Sequence, residues 1–250
     1  MLDRIHQHLR PRTYLEIGVR FGTSLRFALP GTTVVGIDPA AEIRYPVARA
    51  TRVFRTTSDE FFAAHARPEI LPAAVDMAFI DGMHLFEFAL RDFVNIERWC
   101  TRGSVVLVHD CYPIDAASAA RERTTQLWSG DVWKLIVALI EQRPDLSVVT
   151  IDAAPTGLAL ITNLDPDSTV LSSSLDRIST DYRDLDFGSI ADNKAERLRR
   201  LPASWREIEP LLPRPYRGTP PGLLRAGRFC RLPTSAQLKR RLSRRALSPA

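Results

Sequence analysis

The sequence predicts an α/β protein with a doubly wound, mostly parallel sheet of seven strands that ends in an antiparallel hairpin. Two observations support this fold. Short apolar, β-rich runs alternate with helix-sized segments over the first 165 residues, and the first five of these runs are almost continuously apolar. Near-continuous apolar strands are typical of parallel sheets, because such sheets are buried on both faces.

The strands are predicted at residues 13–17, 33–37, 52–56, 75–80, 104–108, 146–151 and 158–162. Only residues 152–157 separate the last two strands, whereas a parallel crossover needs a dozen residues or more, so these two strands form a hairpin. After the fourth strand, apolar residues recur at three- and four-residue steps from Phe86 to Ile96 and predict a helix packed on the core. A later helix is expected to begin near Trp133, with Asp131 as its N-cap.

The charge of the chain is concentrated at its C-terminal end. The 34 Lys and Arg residues exceed the 29 Asp and Glu residues and give a formal net charge of +5. Ten basic and no acidic residues lie in 214–250, so residues 1–213 carry a net charge of −5. We therefore expect an α/β domain at 1–165, a mostly helical extension at 166–212, and a flexible basic tail, rich in Pro and Arg, at 213–250.

This distribution bears on partners and compartment. An acidic body argues against nucleic acid as a partner, while the basic tail, with Leu238, Leu242 and Ala246 spaced every four residues, predicts weak contact with anionic membrane surfaces. No run approaches the roughly 18 apolar residues of a membrane span, and the first residues lack the apolar stretch of a secretory signal. The three cysteines form no CxxC pair, so neither a disulfide framework nor a zinc site is suggested. We expect a cytoplasmic protein, and its oligomeric state stays open.

A glycine loop and an acidic residue follow the first two strands. The first strand ends in Glu16-Ile17-Gly18, with Gly22 four residues later, and two glycines allow a tight turn that approaches a ligand closely. The third glycine of a dinucleotide fingerprint is missing. The second strand ends at Asp38, whose carboxylate is placed to accept hydrogen bonds from ribose hydroxyls. The two motifs together predict an adenosine-type ligand, and a dinucleotide is the weaker interpretation.

Four polar residues follow the fourth and fifth strands. Asp81 and His84 end the fourth strand, and His109 and Asp110 end the fifth. Ligands of open α/β sheets bind beyond the carboxyl ends of the strands, so these side chains are expected to gather at one rim. Each alone also fits a helix cap or a packed histidine.

These motifs resemble the class I S-adenosylmethionine-dependent methyltransferases, and within them the bacterial small-molecule group related to macrocin O-methyltransferase. The resemblance covers residues 13–165 and is carried by LEIGVRFGTSL, VVGIDP, DMAFIDGMHLFEFALRDF, GSVVLVHDCYP and GDVWKLIVALIEQRPDL. It implies the Rossmann-like methyltransferase fold with its reversed last strand. It also implies S-adenosylmethionine as cofactor.

The resemblance assigns residues to parts of the cofactor and to a metal ion. Glu16, Gly18 and Gly22 would hold the methionine part, Asp38 the ribose, and Ser58 and Asp59 would form the adenine-side turn. In relatives that need a divalent cation, the matching acids are Asp81 and Asp110, which makes Mg²⁺ a candidate. His109 occupies the first place of an acid pair in those relatives, and this weakens the case for a hard cation.

We expect methyl transfer to a hydroxyl of a small molecule, with a sugar or glycan-pathway intermediate as the candidate acceptor. His84 is our candidate general base, with Asp81 as its electrostatic partner, because imidazole is well matched to accept a proton near neutral pH. His109 competes for this role, although strand alternation would point His109 and Asp110 in opposite directions. The alternatives are a nicotinamide-dependent oxidoreductase and a binding module without turnover.

Overall fold

The computed structural model describes residues 1–71 and 74–216, which contain one mixed sheet. The strands are β1 (Thr13–Ile17), β2 (Thr33–Ile37), β3 (Thr51–Phe54), β4 (Met77–Ile80), β5 (Val105–His109), β6 (Ser147–Ile151), β7 (Leu158–Thr162) and β8 (Arg200–Leu201). Their order is β3-β2-β1-β4-β5-β7-β6-β8. β1 to β5 run parallel, and β7 is antiparallel to both β5 and β6. The predicted fold class is confirmed, including the terminal hairpin.

One strand of the sheet, β8, was not predicted from the sequence. β8 is two residues long and pairs in parallel with β6, with Thr150 opposite Arg200 and Ile151 opposite Leu201. It lies in the extension, where the polar sequence carries no alternation that could mark a strand.

The helices are α1 (Leu2–Leu9), α2 (Ser58–Ala64), α3 (Phe86–Glu97), α4 (Trp133–Gln142), α5 (Leu175–Arg183), α6 (Gly188–Ala191), α7 (Lys194–Arg197) and α8 (Trp205–Ile208). Short 3₁₀ turns occur at Leu25–Phe27, Ser172–Ser174 and Glu209–Leu211. Within the described ranges, none of these helices has the length and apolar character needed to cross a membrane.

The expectation of helices between all of the first strands is wrong in two places. Only the 3₁₀ turn Leu25–Phe27 lies between β1 and β2, and no helix lies between β2 and β3 in the described chain. Pro30 and Gly31 interrupt the first connection, and Pro39 and Pro46 interrupt the second, so neither offers an uninterrupted helical run.

Helices cover both faces of the sheet. On one face α3 buries the predicted apolar stripe, in which Phe86, Leu90 and Phe93 are fully buried. On the other face α1 packs through Ile5 and Leu9. These two layers fix the carboxyl ends of the parallel strands at one edge, where the loops after β1, β2, β4 and β5 meet.

The extension after residue 165 packs on the same sheet. α5 contacts α3 and α4, and β8 extends the sheet beyond β6. The described chain ends at Tyr216, whose hydroxyl lies 2.7 and 2.6 Å from the carbonyl oxygens of Asp76 and Gly103, just before β4 and β5. The described chain therefore ends at the edge opposite the carboxyl ends of the strands. The predicted domain boundaries stay predictions, and the basic helix expected near residues 238–246 lies outside the described residues.

Candidate active site

The loop after β1 lies in direct backbone contact with the end of β4. Gly18 has a φ of +90°, and a Cβ atom on it would lie 1.8 Å from the carbonyl oxygen of Asp81. The Gly18 N–H donates to the Ile37 carbonyl at 2.9 Å, and the Asp81 N–H donates to the Ile17 carbonyl at 2.8 Å. A side chain at position 18 is thus excluded both by conformation and by space.

Glu16 lies beneath this loop and is fully buried. Its carboxyl oxygens accept hydrogen bonds from the hydroxyls of Tyr14, at 2.6 Å, and Ser24. Burial raises the pKa of Glu16 to about 8, against the opposing effect of the two hydroxyls. Glu16 thus connects β1 to Ser24, which follows the glycine loop. Its assignment to the methionine part of the cofactor stays a prediction, as do those of Gly18 and Gly22.

Asp38 joins the loops after β1 and β2. Its two oxygens accept the backbone N–H groups of Arg20 and Ala40, each at 2.7 Å. A carboxylate oxygen has two lone pairs, so each oxygen retains one for a further donor. The expected ribose contact at Asp38 is therefore compatible with the bonds it already makes.

Ser58 and Asp59 form the first turn of α2, which follows β3. Thr57 caps this helix in a capping box with Glu60. Asp59 pairs with Arg91 of α3, with 3.0 Å between nitrogen and oxygen. The expected adenine-side turn thus begins a well-capped helix that is tied to α3.

The four polar residues predicted at the rim form one cluster. Nδ1 of His84 lies 3.0 Å from Oδ2 of Asp110, and its Nε2 lies 3.4 Å from Oδ1 of Asp81. Nδ1 of His109 lies 3.1 Å from Oδ2 of Asp110 and 3.5 Å from Oδ1 of Asp81. Each carboxylate therefore lies between two imidazoles.

The expectation that His109 and Asp110 point in opposite directions is wrong. Asp110 has a φ of +57°, which ends the alternation of β5, so both side chains enter the cluster. The buried Asp110 also accepts a hydrogen bond from the Thr156 hydroxyl, from the loop between β6 and β7. Sequence reasoning missed Thr156, because nothing in that loop marks it.

The cluster perturbs its own pKa values. Burial opposes the charged form of His109, but its close contacts with the carboxylates of Asp110 and Asp81 prevail and raise its pKa to about 10. The pKa of His84 is also raised, because Asp81 and Asp110 outweigh the effect of burial. Burial favours the neutral form of Asp81, yet His109 and His84 hold its pKa below the usual value.

Three of these residues could hold a metal ion. Ligand atoms of Asp81, His84 and Asp110 all lie within 4.8 Å of one another. Two carboxylates suit Mg²⁺ or Mn²⁺, whereas an imidazole favours ions such as Mn²⁺, Fe²⁺ or Zn²⁺ over Mg²⁺. The donor set therefore fits a divalent cation, with a preference for a transition metal.

The segment after β5 contacts His84 and two helices. Trp128 stacks on the His84 ring, with 5.4 Å between centroids and an interplanar angle of 13°. Asp131 does not make the predicted side-chain cap of α4 and instead accepts the Phe86 N–H at the start of α3, at 2.7 Å. Lys194 of the extension donates to the carbonyls of Pro113, at 2.7 Å, and Ile114, at 3.2 Å.

Residues 15–111 match the family model of a methyltransferase domain. This part of the chain contains the glycine loop and the polar cluster, and its match confirms the family resemblance of the sequence at the level of a methyltransferase domain. No curated protein sequence matches the chain significantly.

Solved structures with a similar chain path include methyltransferases. Cofactor-bound Rv0187 from MTB is 20% identical, covers 65% of this chain and 77% of its own, and gives a TM-score of 0.49. The O-methyltransferase TomG from Streptomyces achromogenes, in complex with SAM, is 19% identical, covers 66% of this chain and 78% of its own, and gives a TM-score of 0.49. The O-methyltransferase from Bacillus cereus, in complex with SAH, is 15% identical, covers 64% of this chain and 77% of its own, and gives a TM-score of 0.47.

Proposed function

We propose that this methyltransferase domain uses S-adenosylmethionine to methylate a hydroxyl group of a small molecule. The acceptor class implied by the sequence resemblance is a sugar or a glycan-pathway intermediate. The observation that carries the proposal is the position of the polar cluster, at the same sheet edge as the glycine loop and joined to it where Gly18 contacts Asp81.

The chemistry asks little of the protein. S-adenosylmethionine, when bound, supplies a methyl group already activated by its sulfonium. The residues of the site must align the acceptor oxygen with the methyl carbon and sulfur and remove the hydroxyl proton as the oxygen–carbon bond forms and the carbon–sulfur bond breaks. The glycine loop and Asp38 would fix the cofactor, and the cluster would handle the proton.

We assign the base role to His84. Both histidines lie close to both carboxylates, but the pKa of His109 is raised to about 10, so His109 stays protonated near neutral pH and is suited to electrostatic stabilisation. His84 is half-buried and stacked under Trp128, so its ring is held in one orientation beside Asp81. In this assignment the acceptor proton moves to an imidazole nitrogen of His84, and Asp81 stabilises the imidazolium that results.

A divalent cation bound by Asp81, His84 and Asp110 is the competing arrangement. When bound, it would lower the pKa of the acceptor hydroxyl and leave no need for a base at His84. The residues would then act as ligands, with His84 as the third member of the set.

Binding and turnover test the proposal separately. Calorimetry should show binding of S-adenosylmethionine and none of NAD; the reverse result would favour the oxidoreductase alternative. Transfer of a labelled methyl group to hydroxylated small molecules, sugars first, should then be detectable. Cofactor binding with no transfer to any acceptor would favour the binding module.

Substitution of the histidines tests the roles in the cluster. His84→Gln should lower the rate at saturating cofactor by roughly a hundred- to ten-thousandfold while cofactor affinity is retained. His65→Gln, at the end of α2, is the matched control and should keep full turnover. If His109→Gln loses turnover and His84→Gln does not, the two roles are exchanged. If chelation abolishes the rate and Mn²⁺ or Mg²⁺ restores it, the cation arrangement holds.

A further inference from the structure

The backbone of His84 has an unusual conformation. Its φ is +57°, in the left-handed region that residues other than glycine seldom adopt. A residue stays in such a conformation only where the surrounding structure holds it. The turn at His84 also decides where the imidazole lies, because the ring must reach Asp81 and Asp110 from this backbone. The contacts that hold the turn therefore determine the geometry of the polar cluster.

Two consecutive residues after β5, Gly130 and Asp131, lie against this backbone. A Cβ atom on Gly130 would lie 1.8 Å from the carbonyl oxygen of His84, and Gly130 itself has a φ of +60°. The Asp131 N–H donates to the same carbonyl at 3.2 Å. Only glycine permits so close an approach, so position 130 has no room for a side chain while His84 keeps its place.

The side chain of Asp131 holds the other end of the turn. Its Oδ1 accepts the Phe86 N–H at 2.7 Å, and the side chain is almost fully buried. Leu85, the N-cap of α3, makes no side-chain cap, so Asp131 supplies an acceptor to the start of α3 from a distant part of the sequence. Asp131 thus bonds to the main chain of residues 84 and 86 at the same time.

Two cations keep the Asp131 carboxylate in this place. Its Oδ2 lies 2.6 Å from Nη1 of Arg121 and 3.2 Å from Nζ of Lys134. The Arg121 guanidinium also donates two hydrogen bonds to Glu87 of α3, at 2.6 and 2.9 Å. A buried carboxylate that is paired and hydrogen-bonded in this way has little freedom to move. The position of Asp131 relative to α3 is therefore fixed, and with it the N–H that Asp131 presents to His84.

We infer that Gly130 and Asp131 are positioning residues, which hold the left-handed turn at His84 and so place its imidazole beside Asp81. Trp128, in the same segment, stacks on that ring. Residues 128–131 therefore contact both the backbone and the ring of His84. The inference rests on the proposed function where turnover is concerned, because it assumes that His84 acts as the base.

Removal of the Asp131 carboxylate tests the inference. The chain has five histidines, so the ring signals of His84 can be assigned by comparison with His84→Gln. In the full chain, after chelation of metal ions, nuclear Overhauser effects should connect the ring protons of His84 with the indole of Trp128. In Asp131→Ala these effects should weaken or vanish. Turnover at saturating cofactor should fall by about ten- to a hundredfold while cofactor affinity is retained, because the base is displaced.

Glu97→Ala is the matched control. Glu97 is a buried acid at the opposite end of α3, where its Oε2 lies 2.8 Å from Nη1 of Arg143 and its Oε1 accepts the Asp165 N–H at 3.2 Å. Its loss should also lower stability, but it should leave the contacts of His84 and the turnover unchanged. If the contacts weaken equally in both variants, they follow stability and not local position, and the inference is overturned.

The outcomes separate this inference from the proposed function. If the wild-type chain transfers no methyl group, the proposed function fails, and the nuclear Overhauser effects alone decide whether His84 is held by this segment. If folded Asp131→Ala keeps the wild-type contacts, or loses them without a loss of turnover, the inference is overturned. Should Asp131→Ala not fold, Gly130→Ala takes its place, because its Cβ would displace the His84 carbonyl without a change of charge. Unchanged contacts and turnover in that variant would likewise overturn the inference.

Discussion

Substitution of Gly18 by alanine should damage both the stability of the domain and its site. An L-residue forced to positive φ costs about 1 to 2 kcal/mol. At Gly18 the new Cβ would also lie 1.8 Å from the Asp81 carbonyl oxygen, a backbone atom that no rotamer change can move away. Overpacking of this kind adds about 1 to 3 kcal/mol, so the loss is about 2 to 5 kcal/mol. For a chain of this size that lowers Tm by about 4 to 20 °C.

Gly22 and Gly103 provide matched controls for this experiment. Gly22 has a φ of +76°, but its nearest contact would be the flexible Ile43 side chain at 3.2 Å, so Gly22→Ala should lose only the conformational cost of about 1 to 2 kcal/mol. Gly103→Ala, with its nearest atom at 3.8 Å, should change stability by less than about 0.5 kcal/mol. Thermal unfolding measures all three. A Gly18→Ala protein that melts within about 2 °C of Gly22→Ala would refute the argument from backbone contact.

Three further predictions follow from other parts of the chain. Asp38→Ala should weaken S-adenosylmethionine binding by roughly ten- to a hundredfold in calorimetry, and unchanged affinity in the folded variant would remove Asp38 from the site. Burial lowers the pKa of His6 from 6.5 to about 4. As the pH falls, the imidazole is therefore protonated in the unfolded chain before it is protonated in the folded chain. The free energy of unfolding should fall by about 3 kcal/mol between pH 6.5 and pH 4. Denaturant unfolding at several pH values should show that His6→Phe lacks this part of the loss of stability in acid. Equal pH profiles for the two proteins would contradict the role of His6. A chain shortened after Tyr216 should lose binding to anionic vesicles at low salt while it keeps its fold, and equal sedimentation of both chains would rule out the membrane role of residues 217–250.

The sheet could be predicted because its information is local. Each buried parallel strand is an apolar run in the sequence, and the short link at residues 152–157 allows only an antiparallel direction for the last strand. β8 was not predictable in this way, since two residues in a polar segment carry no pattern and pair only because the extension folds back beside β6. In the described chain no α-helix follows β1 or β2, although both connections are long enough for one. The length of a connection therefore does not predict its secondary structure.

The residues of the polar cluster could be predicted from the sequence, but their mutual arrangement could not. Strand ends identified Asp81, His84, His109 and Asp110 as neighbours. The left-handed backbone of Asp110 overturned the alternation argument, because a single φ angle decides where a side chain points and the sequence does not encode it visibly.

The hydrogen bonds from Lys194 to the carbonyls of Pro113 and Ile114 connect the extension to the loop after β5. Lys194 lies in α7, about eighty positions further along the chain, and that helix lies outside the segment 15–111 that matches the family model. Two chains with the same matched segment and different extensions would therefore differ in the hydrogen bonds that hold the loop after β5.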